Sequence, residues 1–190
     1  MKIICIDNLT HSATDLWLTV RSDSSVLRNN DDFYMPSFSQ DMVASAGYYL
    51  RITRLAKCVS EKFAPRCYDA IGVAVAFTAR DIVEQNCKLL RPCDEAYCFD
   101  KSIALSLECV APTEVGCGEV DIKIGNTHSV SDLRQLKLSL DGALSRASEL
   151  LTLKTGDIVF VAATPAERVA IGDRVAIALN EKQLLDFAIK

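Results

Sequence analysis

The sequence predicts an α+β domain built on a sheet-rich core, and three observations carry that expectation. Strand candidates outnumber helix candidates, and the helices interrupt them without the regular strand–helix alternation of a parallel α/β fold. The chain has 190 residues, the size of one domain spanning 1–190 with a sizeable core. No internal repeat or low-complexity linker divides it.

Taken in order, Lys2–Ile6 is the first strand candidate, four apolar residues closed by Asp7. A short helical or irregular segment is expected from Leu16 to Val20, and the polar run from Arg28 to Asp32 reads as a hairpin or loop. Gly47–Leu55 alternates and is rich in strand formers. Ala70–Phe77 is almost continuously apolar, as a strand buried on both faces requires. Ala79–Leu90 turns helical and stops ahead of Pro92. The longest helix is predicted over Ser131–Leu151, where Leu133, Leu136, Leu140, Leu144, Ala147 and Leu151 form one apolar stripe. Ser131 would cap it and Asp132 would favour the positive end of its dipole. Three strands then follow: Asp157–Ala162, Asp173–Leu179 and Gln183–Ile189, with Gly156 and Gly172 marking two starts.

Composition removes several functions. Twenty-one basic against 25 acidic residues give a net charge of −4, which argues against a nucleic-acid partner that needs a basic surface. No apolar run is long enough to span a bilayer, so no membrane partner is expected. The apolar run at the N-terminus is too short for an export signal, and the reading predicts a cytoplasmic protein. Eight cysteines against two histidines include no C-x-x-C pair. Scattered free thiols are one reading of them, and a reactive pair at Cys93 and Cys98 is the other. No nucleophile elbow, phosphate loop, dinucleotide fingerprint or H-E-x-x-H occurs.

The C-terminal third carries more. Leu153-Lys154-Thr155-Gly156-Asp157-Ile158-Val159, then Ala163-Thr164-Pro165-Ala166, then Ile171-Gly172-Asp173-Arg174-Val175 run toward a final strand. Upstream stand Gly125-Asn126-Thr127, Thr78-Ala79-Arg80-Asp81, Pro36-Ser37-Phe38-Ser39-Gln40-Asp41 and Phe99-Asp100. In this order and spacing, the motifs resemble those of the fumarylacetoacetate hydrolase family from about Ser24 to Lys190. The resemblance implies a rolled, mixed β-structure, barrel-like around a central site with a few peripheral helices, and a homodimer. It implies hydrolysis, isomerisation or decarboxylation of acylpyruvates or other 2-oxo acids. The chemistry would use Mg²⁺ or a similar hard cation held by carboxylates, with a histidine and an acidic partner moving protons.

Carried over residue by residue, that site is depleted. The resemblance places the family's E-x-E pair at Ser45 and Gly47 and its third carboxylate at Ala76, so all three metal-ligand positions lack an acid. Its lysine becomes Tyr97, its glutamine Val83, and its two turn glycines Ala163 and Glu167. Arg80, Thr164 and Pro165 persist, with His11 in a compressed loop (Asn8 to His11) and Asp15 one turn on. Residues 1–23 correspond to a shortened lid. The expected catalytic set is therefore His11, Arg80 and Thr164, and the expected substrate contacts are Arg80, Thr164 and Tyr97. No cation is expected, and Mg²⁺ only if the family activity persists. Bland readings stand beside these. Arg80 could pair with Asp81 or a helix end, Thr164 could serve a turn, His11 could be a surface residue, and Gly47 could mark a bulge. Relocated cation ligands at Asp41, Glu84 or Glu167 would lack the two-residue strand spacing. Three functions follow: an impaired member that still binds a small 2-oxo acid, an active hydrolase, isomerase or decarboxylase with an altered site, or a non-catalytic partner subunit. Cys98, between Tyr97 and Phe99, is the cysteine expected at the site.

Overall fold

The computed structural model describes residues 1–7, 17–28 and 30–190. The strands are β1 (Lys2–Asp7), β2 (Trp17–Ser22), β3 (Val26–Leu27), β4 (Met42–Ile52) and β5 (Tyr68–Ala79), followed by β6 (Ile103–Leu105), β7 (Val120–Ile124) and β8 (Thr127–Ser131). The last four are β9 (Ile158–Ala162), β10 (Glu167–Arg168), β11 (Arg174–Leu179) and β12 (Lys182–Ala188). The α-helices are α1 (Arg80–Lys88), α2 (Asp94–Tyr97) and α3 (Leu140–Leu150).

The larger sheet runs β2-β1-β9-β4-β5-β6-β3, with β10 added to the start of β4. It is mixed: β1 lies parallel to β9 and β3 parallel to β6, while the other pairs are antiparallel. The smaller sheet runs β12-β11-β7-β8. The α+β class and the curled, half-barrel sheet with few helices agree with the sequence expectation.

Alternation along β4 and β5 explains the layering. Ala44, Ala46, Tyr48, Leu50 and Ile52 face one way with Val73, Val75 and Phe77, and they join the main core with β7, β11, β12 and α3. The opposite face belongs to the inside of the curl, where Ile3, Tyr49, Ala74, Ile103, Ile158 and Phe160 form a second, smaller cluster. Tyr49 fills its far end, donating its hydroxyl to the Ser106 carbonyl at 2.7 Å. Its ring lies across Gly72, where a Cβ would stand 2.4 Å from two ring carbons.

Three expectations change. Residues 17–20 are strand, paired along their length with β1. The stripe over Ser131–Leu151 is only half helix. Ser131 ends β8 opposite Val120, and Asp132 caps a single 3₁₀ turn by accepting from the Arg134 and Gln135 amides. The helix begins after Ser139, whose Oγ accepts from Gly142 at 3.0 Å. Leu133 and Leu136 reach the core from an irregular segment, so their spacing imitated a helix. Gly47 sits in regular register, and the irregularity of β4 falls between Arg51 and Ile52.

Candidate functional site

The inside of the curl opens at one end into a cavity of about 420 Å³. Its floor is the inward face of β4 and β5, contributed by Val43, Ser45, Ala76 and Thr78. Phe160 and Ala162 of β9 continue it, and the turn Thr164–Ala166 closes one side. Trp17 and Tyr97 stand at the mouth with their rings edge to face at 6.0 Å.

The register fixes which positions share the floor. Ser45 pairs directly with Ala76, and Val43 with Thr78. Gly47 does not line the cavity. A Cβ at Gly47 would lie 2.1 Å from the Val161 carbonyl oxygen and 2.7 Å from the Ala163 nitrogen, so β9 crosses where a side chain would be. The two β4 residues that present side chains to the cavity at strand spacing are Val43 and Ser45. Of the expected pair, Ser45 lines the cavity and Gly47 does not, because β9 fills the space that a side chain at Gly47 would need.

The donor set does not suit a hard divalent cation. Val43, Ser45 and Ala76 offer an isopropyl group, a hydroxyl and a methyl, whereas Mg²⁺ or Ca²⁺ needs charged oxygens to offset lost water. Asp7 is the only carboxylate among the described lining residues. No cluster of three or more His, Cys, Asp or Glu side chains with metal-binding geometry occurs among the described residues.

Arg80 lies outside the cavity. It starts α1 and pairs at the surface with Asp41, Nε to Oδ2 at 2.7 Å, while Arg168 approaches the other oxygen of Asp41 at 3.2 Å. Asp81, not a partner of Arg80, ties the preceding loop to the helix. Its carboxylate accepts from Ser39 Oγ at 2.7 Å and from the Gln40 amide at 2.9 Å. Burial raises its pKa, but these donors and the Ile82 amide outweigh burial and hold it below the usual range. The carboxylate clamp expected of Arg80 is thus already used by the protein's own Asp41. Asp41 is spent on two arginines, and Glu84 and Glu167 stand away from the main cavity.

Thr164 does line the cavity, yet its hydroxyl accepts from the buried Ala46 amide at 3.0 Å. It pins the turn after β9 to β4, supporting the turn reading over the catalytic one. Tyr97 lines the mouth as expected. Burial pushes its phenol up to about 12, with the Cys93 and Cys87 thiols adding to the rise, so at neutral pH it is an uncharged phenol able to donate a hydrogen bond. His11 and Asp15 lie outside the described residues, as does the loop beginning at Asn8. His128 is exposed on β8 and pairs with Asp121 at 3.0 Å.

The cysteine at the cavity is Cys5, not Cys98. Burial raises the Cys5 pKa, against a smaller lowering by the Arg21 charge. Cys98 is half-buried beside Ser22 and Ser25, with the Ser22 amide 3.2 Å from its sulfur. Burial raises its pKa but those donors prevail, and its thiol sits below the usual value. The close thiol pair is Cys87 and Cys93 at 3.9 Å, in place of Cys93 and Cys98.

One charged lining residue escaped the sequence reading. Arg21 is 2% exposed and lines the cavity from β2. Its Nη1 donates to the carbonyls of Phe77 at 2.8 Å and Ser102 at 2.7 Å, and Nη2 reaches Thr78 Oγ1 at 3.5 Å. A signal was available: Trp17, Thr19 and Arg21 alternate with apolar residues, placing the arginine on one face of a strand. The expectation of a helical or irregular segment over Leu16–Val20 leaves that alternation unused.

The family model for the C-terminal domain of fumarylacetoacetate (FAA) hydrolase matches residues 9–185. No curated protein matches the chain. Among solved structures, a fumarylacetoacetate hydrolase family protein from Yersinia pestis CO92 superposes with a TM-score of 0.87 at 20% identity, covering 100% of this chain and 92% of that one. Fumarylpyruvate hydrolase from Pseudomonas aeruginosa, in complex with Mn²⁺ and pyruvate, gives 0.87 at 17% identity, covering 100% and 89%. The 5-carboxymethyl-2-hydroxymuconate delta-isomerase from Mycobacterium smegmatis gives 0.84 at 16% identity, covering 99% and 78%. At these identities the likeness is one of fold.

Proposed function

The chain belongs to the fumarylacetoacetate hydrolase family, and from that premise we propose that it is a catalytically impaired member that holds a small 2-oxo acid without a divalent cation. The observation that supports this most is the cavity floor. Ser45 and Ala76 face each other across β4 and β5 with no carboxylate to hold a metal. Without a cation the keto-carboxylate of an acylpyruvate has no chelating partner, and an enolate-like charge gains no stabilisation from one. Tyr97, a neutral phenol at the mouth, offers a hydrogen bond to a bound acid.

The test is metal analysis of the purified protein, together with turnover of acylpyruvates and oxaloacetate in Mg²⁺ or Mn²⁺. The reading expects no stoichiometric metal and turnover no greater than that of a chain with the cavity blocked. Metal-dependent turnover overturns it.

A second reading, an active hydrolase or isomerase with an altered site, is favoured by one observation: the cavity is open and not packed shut by the substituted side chains. It predicts turnover that persists in a chelator and disappears when Ala76 is enlarged to Phe. Cytoplasmic residence belongs to the main proposal, on the ground that eight cysteines suit a reducing compartment. Pairing of two copies, or with an active relative, rests on the family alone, and co-purification would reveal the partner. As for membranes, no helix among the described residues is long and apolar enough to cross one.

A further inference from the structure

Arg21 carries a charge that the described part of the protein does not neutralise. Its side chain is among the largest that are fully buried, and arginine does not shed its proton inside a protein. Among the described residues no carboxylate forms an ion pair with it. Its acceptors are two backbone carbonyls, both on Nη1, and one hydroxyl at the limit of hydrogen-bond distance on Nη2. Nε is buried with no acceptor among the described residues. Buried arginines are normally paired, because an uncompensated charge in a low-dielectric interior is costly.

On the edge formed by Nε and Nη2, Nε has no acceptor among the described residues and Nη2 has only the Thr78 hydroxyl at 3.5 Å. That edge is the planar fork that matches a carboxylate with two parallel hydrogen bonds. It belongs to a residue lining a cavity whose walls are otherwise mostly apolar: Ile6, Val43, Ala76, Phe160 and Ala162, with Trp17 at the mouth. A second negative charge on a ligand would find no second cation among the described lining residues, and Asp7 would repel it.

We propose that the cavity binds a small monocarboxylate with an apolar or aromatic body, its carboxylate paired with Arg21 and its body against Phe160 and Trp17. This inference rests on the metal-free acid binding proposed above and names the group that would do the work a cation does elsewhere. The anchor is a cation built into β2, so binding needs no added metal.

Trp17 is the only tryptophan in the chain and stands at the cavity mouth, so its fluorescence reports occupancy directly. The experiment titrates the full chain in EDTA with phenylacetate, phenylpyruvate, the neutral phenylacetamide and the dicarboxylate oxaloacetate. Saturable change with the two monocarboxylates is expected, with the amide and the dicarboxylate at least tenfold weaker, a difference of about 1.4 kcal/mol. Arg21→Lys should weaken the monocarboxylates at least tenfold while leaving the amide unchanged. The wild-type comparison of acid and amide decides the question even where the variant folds poorly. Equal affinity for acid and amide, or monocarboxylate binding untouched by Arg21→Lys, overturns the Arg21 anchor and leaves metal-free acid binding standing. Binding that appears only on adding Mn²⁺ overturns the proposed function itself. No saturable binding of any acid overturns both.

Discussion

Ser45 and Ala76 are direct partners across the β4–β5 ladder, with their side chains on the cavity floor and Val43 two residues away on the same face. Three short side chains thus converge where three longer acids would place their oxygens around one point. The consequence is constructive. The variant combining Val43→Glu, Ser45→Glu and Ala76→Asp should bind Mn²⁺ with a Kd on the order of 10⁻⁴ M or tighter. Without metal, three crowded carboxylates should lower its Tm, and Mn²⁺ should restore several degrees through binding to the folded state. Calorimetric titration and thermal melts with and without Mn²⁺ check this. A variant that folds but shows no metal-dependent rise in Tm would show that the floor is not a latent cation site.

Thr164 is predicted to matter for stability and not for turnover. Its hydroxyl is the acceptor for the buried Ala46 amide, and the Ala163 and Thr164 amides both return to the Ala46 carbonyl. Thr164→Val keeps the side-chain shape but strands that amide, at a cost of about 1–3 kcal/mol. Each kcal/mol is about 2–4 °C in Tm for a chain of this size. Thr164→Ser retains the acceptor and should melt close to wild type. Equal melting of the Val and Ser variants would remove the pinning role.

Asp157 should set the acid limb of stability. It is buried and accepts from the Lys2 amide at 3.0 Å and the Lys154 amide at 2.8 Å, while the Lys2 ammonium pairs with it. Burial alone would raise its pKa, but the Lys2 and Lys154 donors outweigh it and the folded-state value is lowered. A lowered folded pKa contributes stability that is complete above the unfolded value, about 3.9, and is lost as pH falls through the folded one. Asp157→Asn should therefore be less stable than wild type at neutral pH, and the gap should shrink below about pH 4. Urea melts from pH 2.5 to 7 measure the gap; a constant difference across that range would rule the carboxylate out as its source.

What could be read in advance follows from where each signal was local. The strands β1, β9 and β11 were legible because buried apolar runs bounded by Asp7, Gly156 or Gly172 have few other uses, and β5 because its apolar run is almost continuous. The half-helix before Ser139 was not, because Leu133 and Leu136 satisfy a helical period while packing from an irregular segment. The floor was partly legible: Ser45 and Ala76, the positions at which the resemblance implied acids, both lie on it. The register of β4 was not, since only the approach of the Val161 carbonyl to Gly47 shows that its side of the strand is closed. Arg80 and Arg21 exchanged roles for a similar reason. A motif drew notice to the first, whereas the burial of the second depends on β2 pairing with β1, a contact that one sequence does not announce.

The two thiols near Arg21 give a last prediction. Cys5 lines the cavity, and burial raises its pKa more than the Arg21 charge lowers it. Cys98 is also partly buried, but the Ser22 amide and the Ser22 and Ser25 hydroxyls favour its thiolate and bring the pKa down. Alkylation proceeds through the thiolate, so iodoacetamide near pH 7.5 should modify Cys98 well before Cys5 in the folded protein. Peptide mass spectrometry over a time course separates the two sites, and denaturant should bring their rates together. Cys5 reacting first would mean that the cavity admits the reagent and that the Arg21 charge, not burial, governs the thiol facing it.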